Sequence, residues 1–187
     1  MVTVPPEDEP QAAPTPRMLT WAKNATIYRL ERWMMSERQL HDAIARKAKS
    51  KFEDINEAQV AALARYAVSF AHELKAIDDR TYAETMARSG ERSGRSKRFM
   101  AQKLAIKGVG QEDISAALAQ ADDRAAAVAF AKRRAFGPFR RLDADEKRLA
   151  KEFAAFIRNG FSSSLARQVM DMEPEEALEI LDEARGR

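Results

Sequence analysis

Four residue patterns in this chain of 187 residues could carry chemistry: paired aspartates, two histidines, glycine-bearing turns, and clusters of arginine and lysine. A phosphate-wrapping loop needs G-x-x-x-x-G-K-[ST], so that successive backbone N–H groups face the phosphate. Gly90 to Lys97 is too poor in glycine and misspaced for that. Gly108-Val109-Gly110 lacks the third glycine of a dinucleotide turn, and no strand precedes it. His41 and His72 are the only histidines; they fall on different predicted helices and no H-E-x-x-H pair exists, so a helix-edge role is expected for His72. Asp78-Asp79 and Asp122-Asp123 each stand just before a predicted helix. Acidic residues there cap free N–H groups and offset the helix dipole, so capping is expected rather than metal binding. Without cysteine there is neither disulfide nor thiolate chemistry, a composition that fits a reducing cytoplasm. No catalytic, cofactor-binding or metal-ligating set emerges, and the expectation is a protein that is not an enzyme.

The cationic clusters are the strongest remaining candidates. One comprises Arg88, Arg92, Arg95, Lys97 and Arg98, with Glu91 as the opposing acid. The other contains Arg133, Arg134, Arg140 and Arg141 with no acidic residue between them. Such runs meet phosphate or an acidic protein groove, or they are solvated faces. All four members of the second cluster are expected to be exposed. The net charge of +3 permits an anionic partner without demanding one.

The elements that must position these residues are helices. Charged residues make up 33% of the chain and glycine is scarce, while Ala, Glu, Lys, Arg, Leu and Met, the strong helix formers, are abundant. The middle of the chain, Ile77 to Leu118, reads as three helices at about 79–89, 95–107 and 111–121. Met100 and Leu104 lie four apart, as do Ile114 and Leu118, and residues four apart share a helix face. Upstream, a stripe through Trp21, Ala25 and Tyr28 predicts a helix over 20–35, with Trp21 and Trp33 in packing roles. Ser36 with Gln39, and Asn56 with Gln59, are capping boxes that open the next two helices. The second of these helices carries Val60, Leu63, Ala64, Ala67, Phe70, Ala71 and Leu74 on its apolar stripe. Downstream, helices are predicted over 124–136, from an Asp143/Glu146 cap to Gly160, from Ser162 to about Asp171, and from Pro174 to about Ala184 with Ala177, Leu178 and Leu181 inward. Five prolines within the first 16 residues predict a disordered tail over 1–17. No run approaches the ~20 apolar residues of a membrane span, and the N-terminus has no apolar signal core.

A repeat underlies this order. Leu104 stands four before Gly108 and Phe156 four before Gly160; Val109 and Phe161 follow the glycines; Ile114 and Leu118 correspond to Ala166 and Met170. Leu40 and Ile44 are the counterparts of Met100 and Leu104 one unit earlier. The expected fold is all-α: an elongated array of three tandem three-helix, helix-turn-helix-like repeats (18–77, 78–121 and 122–187), the last with an extra C-terminal helix.

The pattern resembles the RecX family of regulators of the RecA recombinase. The resemblance rests on Ile77-Asp78-Asp79-Arg80-Thr81-Tyr82-Ala83-Glu84, then Arg88, Gly94-Arg95, Leu104 to Val109 and Ile114 to Leu118. It continues at Lys132-Arg133-Arg134, Asp145-Glu146-Lys147 and Asn159-Gly160-Phe161-Ser162, and it begins at Leu30 and Ser36-Glu37-Arg38-Gln39-Leu40. It departs near Lys49 to Phe52, where the glycine-plus-aromatic step is missing, and at Ala166, where a larger aliphatic residue is usual. The resemblance implies a cofactor-free cytoplasmic monomer that binds the RecA filament on single-stranded DNA and depresses its ATPase, strand-exchange and coprotease activities. The alternative is a general nucleic-acid-binding helical protein that grips single- or double-stranded DNA through the two basic clusters. Sequence-specific reading of duplex DNA is not expected, because the helices after Gly110 and Ser162, placed as recognition helices would be, carry little basic charge.

Overall fold

The computed structural model describes residues 13–186, which form ten α-helices and no strand. The helices are α1 Pro16–Leu30, α2 Glu37–Lys51, α3 Glu57–Glu73, α4 Asp79–Arg92, α5 Lys97–Ile106, α6 Gln111–Ala119, α7 Asp123–Arg134, α8 Glu146–Arg158, α9 Ser163–Met170 and α10 Pro174–Arg185. Residues 1–12 of the expected tail lie outside the described residues. The rest of that stretch is ordered: Thr15 caps α1 and Pro16 occupies its first turn, where a missing N–H is harmless. Among the described residues no helix is long and apolar enough to cross a membrane.

The chain divides into two compact units, one of residues up to Tyr82 with Lys107–Val109, the other of Ala83–Ile106 with Gly110 onward. In the first unit, Leu40, Ile44 and Ala48 on α2 share a buried cluster with Leu63, Ala67 and Ala71 on α3 and Ala22 on α1. The alanines let the helix axes approach closely, and Trp21 closes the edge against Phe52 at 5.3 Å. Both capping boxes form, Ser36 with Gln39 and Asn56 with Gln59. Leu74 departs from its expected inward position. It is the C-cap of α3, Lys75 turns the chain with φ 52°, and the leucine is left exposed.

Trp33 departs too. α1 ends at Leu30, so Trp33 sits in the following turn and is 53% exposed, with the Tyr28 ring edge-on at 6.4 Å. Trp33→Ala is therefore expected to change stability by no more than about 0.5 kcal/mol, measured by urea unfolding.

In the second unit, Ala125, Ala126, Ala127 and Val128 are all buried. Four consecutive positions cover most of a helix's circumference, so the start of α7 is enclosed on nearly all sides. Phe130 follows and meets Phe156 at 5.1 Å, Phe161 at 5.9 Å and Phe136 at 6.0 Å. Burying a ring such as Phe156, which is fully enclosed, contributes about 2–3 kcal/mol. Met100, Leu104, Ile114 and Leu118 are buried as their spacing implied. Two details differ from the sequence reading. The N-cap of α8 is Asp145 rather than Asp143, its carboxylate accepting the Arg148 N–H at 2.7 Å. On α10, Ile180 turns inward with Ala177, while Leu178 is exposed.

Candidate interaction surface

All nine cations singled out in the sequence belong to the second unit. Arg92 ends α4, Arg133 and Arg134 end α7, Lys97 and Arg98 open α5, and Arg140 and Arg141 lie in the connection before α8. The unpaired carbonyls of a helix C-terminus carry partial negative charge, which favours cations there whatever else they do.

The turn between α4 and α5 receives one arginine of the second cluster. Gly94 adopts φ 69°, and its missing Cβ leaves room for the backbone of α7; a Cβ would stand 2.6 Å from the Phe130 nitrogen. Next to it, the Ser93 hydroxyl donates to the Ser89 and Gly90 carbonyls. The Ser93 carbonyl in turn accepts Nη1 of Arg133 at 2.6 Å. One arginine of the second cluster is thereby anchored on the turn that carries the first. Glu91, the opposing acid, is occupied by the Asp122 backbone N–H at 3.2 Å.

The nine residues are not equivalent. Arg88, Arg92, Arg98, Arg133, Arg134 and Arg141 are exposed and, among the described residues, have no carboxylate partner. Lys97 is half-buried. Arg95 is half-buried as well: its guanidinium lies 4.7 Å from the Phe99 ring centre and donates to Asn159 Oδ1 at 2.8 Å. Arg140 is not exposed as expected. Its Nε donates to Glu152 Oε2 at 2.9 Å, and Nη2 is buried without a partner.

Glu152 is the residue that sequence reasoning missed. Its side chain is 2% exposed, and its other oxygen accepts Arg148 Nε at 3.2 Å, while the Gly137 N–H points at Oε2 at 3.3 Å. The available signal was its position on the apolar face of α8, four residues before Phe156 and four after Arg148.

The aspartate pairs act as caps. Asp78 accepts the Arg80 N–H and the Thr81 hydroxyl, and Asp122 accepts the N–H groups of Arg124 and Ala125. The Thr81 hydroxyl bond is the main reason the Asp78 carboxyl titrates below its ordinary range. Tyr82 titrates above its usual value, first through burial and then through the Asp79 charge. Both groups lie in the first unit. His72 pairs with Glu37 at 2.9 Å on the helix edge.

A family model described as RecX, second three-helix domain, matches residues 78–118. A regulatory protein RecX from Agrobacterium fabrum (strain C58) is 58% identical over 95% of this chain and 97% of its own length. This chain belongs to the RecX family. A second member, regulatory protein RecX from Myxococcus xanthus (strain DK1622), is 31% identical over 83% of this chain and 87% of its own. The RecX fold recurs in two crystal structures. One, of a regulatory protein RecX, has a TM-score of 0.62 at 25% identity, covering 83% of this chain and 72% of that one. The other, of RecX from Lactobacillus salivarius, has a TM-score of 0.59 at 18% identity, covering 90% and 99%. The RecX motif Ile77 to Glu84 forms the entry to α4, with Ile77 and Tyr82 buried and the two aspartates at the helix start.

Proposed function

We propose that this RecX-family chain is a non-enzymatic regulator that binds the RecA filament on single-stranded DNA and depresses RecA ATPase, strand exchange and coprotease activity. The observation that carries the contact surface is the Arg133–Ser93 bond, which sets an exposed cation of α7 on the turn that joins α4 to α5, within one compact unit. Cations without carboxylate partners are available to an acidic groove or to phosphate, and long-range attraction speeds encounter. In this reading the chain acts in the cytoplasm as a monomer of three modules, 18–77, 78–121 and 122–187, without a cofactor.

The test is a titration of RecA ATPase on single-stranded DNA. Inhibition well below one copy per RecA supports the reading, and unchanged ATPase at saturation removes it. The contact surface is tested by Arg133→Glu, Arg134→Glu and Arg141→Glu together. Arg140 is left intact because its reversal would set a second carboxylate against Glu152. At about 0.5 kcal/mol for each exposed charge, the concentration for half-inhibition should rise roughly tenfold. Undiminished inhibition by a folded triple variant would move the surface elsewhere.

A second reading, general nucleic-acid binding, draws support from the first unit. Tyr28 and Trp33 are both more than half exposed, and the Arg32 guanidinium lies 3.8 Å over the Tyr28 ring. Exposed aromatic rings beside arginine are suited to stacking bases of a single strand. That reading requires DNA affinity to fall with salt by about one unit of log–log slope per phosphate contact, in the absence of RecA.

A further inference from the structure

The serines that cap α2 and α5 each make a second, long-range bond. Ser36 Oγ accepts the Gln39 N–H and donates to the Lys107 carbonyl at 2.5 Å. Ser96 Oγ accepts the Phe99 N–H and donates to the Asn159 carbonyl at 2.6 Å. Each accepting carbonyl belongs to the residue before a left-handed glycine, Gly108 at φ 85° and Gly160 at φ 84°. The glycines are needed for the approach as well as for the turn. A Cβ on Gly160 would lie 2.5 Å from Ser96 Oγ, and one on Gly108 would collide with the Arg38 side chain.

Beside each serine a second bond repeats. The Glu37 N–H donates to Asp79 Oδ1 at 2.8 Å, and the Lys97 N–H donates to Asp123 Oδ1 at 2.7 Å. These amides open their helices and have no partner within them, so a carboxylate satisfies an orphan donor and complements the dipole. The aspartate pairs thus divide their work. Asp78 and Asp122 cap their own helices, whereas Asp79 and Asp123 cap a helix earlier in the chain. The sequence separations differ between the two sets, 71 against 63 residues for the serine bonds and 42 against 26 for the aspartate bonds. The same four parts meet across connections of different length, so local spacing does not produce them. One set lies wholly in the first compact unit and the other wholly in the second.

The first and third modules lack the complementary parts. Asp145 caps α8 at the position of Ser36 and Ser96, and an ionised carboxylate cannot donate to a carbonyl. In the first module, α2 closes on Phe52 at φ −120° instead of a left-handed glycine, and the first residue of α1 is Pro16 instead of aspartate. We infer that Ser36, Asp79 and Gly108, and again Ser96, Asp123 and Gly160, are a repeated joint that fixes the order of consecutive three-helix modules. Of the three modules, the first carries the donor half alone and the third the acceptor half alone. A second copy offered head-to-tail finds neither a hydroxyl at Asp145 nor a left-handed glycine at Phe52.

Amide hydrogen exchange on the full chain tests the joint. The Glu37 and Lys97 amides should exchange slowly, and the equivalent Glu146 amide, which meets no such aspartate among the described residues, quickly. Asp79→Ala should release Glu37 alone and Asp123→Ala should release Lys97 alone, each by about tenfold or more, as for a hydrogen bond to a charged group. Asp123→Asn, which keeps an accepting oxygen, should retain most of the protection at Lys97. Equal exchange at Glu37, Lys97 and Glu146 in the unmodified chain would overturn the proposal, as would loss of protection everywhere in the asparagine variant. Sedimentation tests the mismatch at Asp145 and Phe52: a single species across the micromolar range is expected, and head-to-tail growth with concentration would overturn it.

Discussion

Glu152→Ala will lower the stability of the protein by about 3 kcal/mol, because it removes one partner from a buried ion pair. The carboxylate holds three donors at once: Arg140 Nε, Arg148 Nε and the Gly137 N–H. Alanine strands Arg140, whose Nη2 is already buried without a partner, and leaves the buried Gly137 N–H unsatisfied. Arg148 is 39% exposed and will recover water, which keeps the loss toward the lower end for such pairs. For a chain of this size the loss corresponds to a fall in Tm of about 6–12 °C. Glu152→Gln, which keeps an acceptor and the side-chain volume while removing the charge, should lose about half as much. Urea unfolding measures both. A loss below about 1 kcal/mol in the alanine variant would mean that water takes the place of the carboxylate.

This network also marks where the sequence stops being legible. The all-helical fold and its buried stripes follow from local spacing: Leu40 with Ile44, Met100 with Leu104 and Ile114 with Leu118 are each four apart and each buried. The capping boxes at Ser36 and Asn56 are local too, three residues from donor to acceptor. What spacing cannot supply is the identity of partners far along the chain. Arg140 stands in a run that carries only positive charge, yet its partner lies 12 residues away on an otherwise apolar helix face. Ser36 and Ser96 look like ordinary N-caps until their hydroxyls meet carbonyls more than 60 residues away. Leu74 and Leu178 continue the period of their stripes but sit where the chain turns away or where no helix covers them, so both are exposed. Among the cations of the candidate surface, type and clustering were legible. Their separation into exposed residues and the half-buried Arg95, Lys97 and Arg140 required the tertiary contacts.

Gly94→Ala is expected to cost about 3 kcal/mol or more, and it bears directly on the proposed surface. An L-residue in the left-handed conformation costs about 1–2 kcal/mol by itself. The added Cβ would further stand 2.6 Å from the nitrogen and 2.7 Å from the Cα of Phe130. Those are backbone atoms of α7, and Phe130 is locked by contacts with Phe136, Phe156 and Phe161, so they cannot give way as a flexible side chain would. Relief must come from displacing the turn at 93–96, which also carries the Ser93 carbonyl held by Arg133. Overpacking of this kind adds about 1–3 kcal/mol. Gly110→Ala is the matched control: its φ is −64° and the nearest atom to a new Cβ is 3.9 Å away, so its change should stay below about 1 kcal/mol. If the proposed surface is correct, RecA inhibition assayed at a temperature where Gly94→Ala remains folded should weaken. Arg92, Arg95 and Arg133 would all still be present, but the turn that registers α4 and α5 against α7 would have moved. Full inhibition by that folded variant would mean that the two basic clusters act separately, and that their juxtaposition serves the packing of the second unit alone.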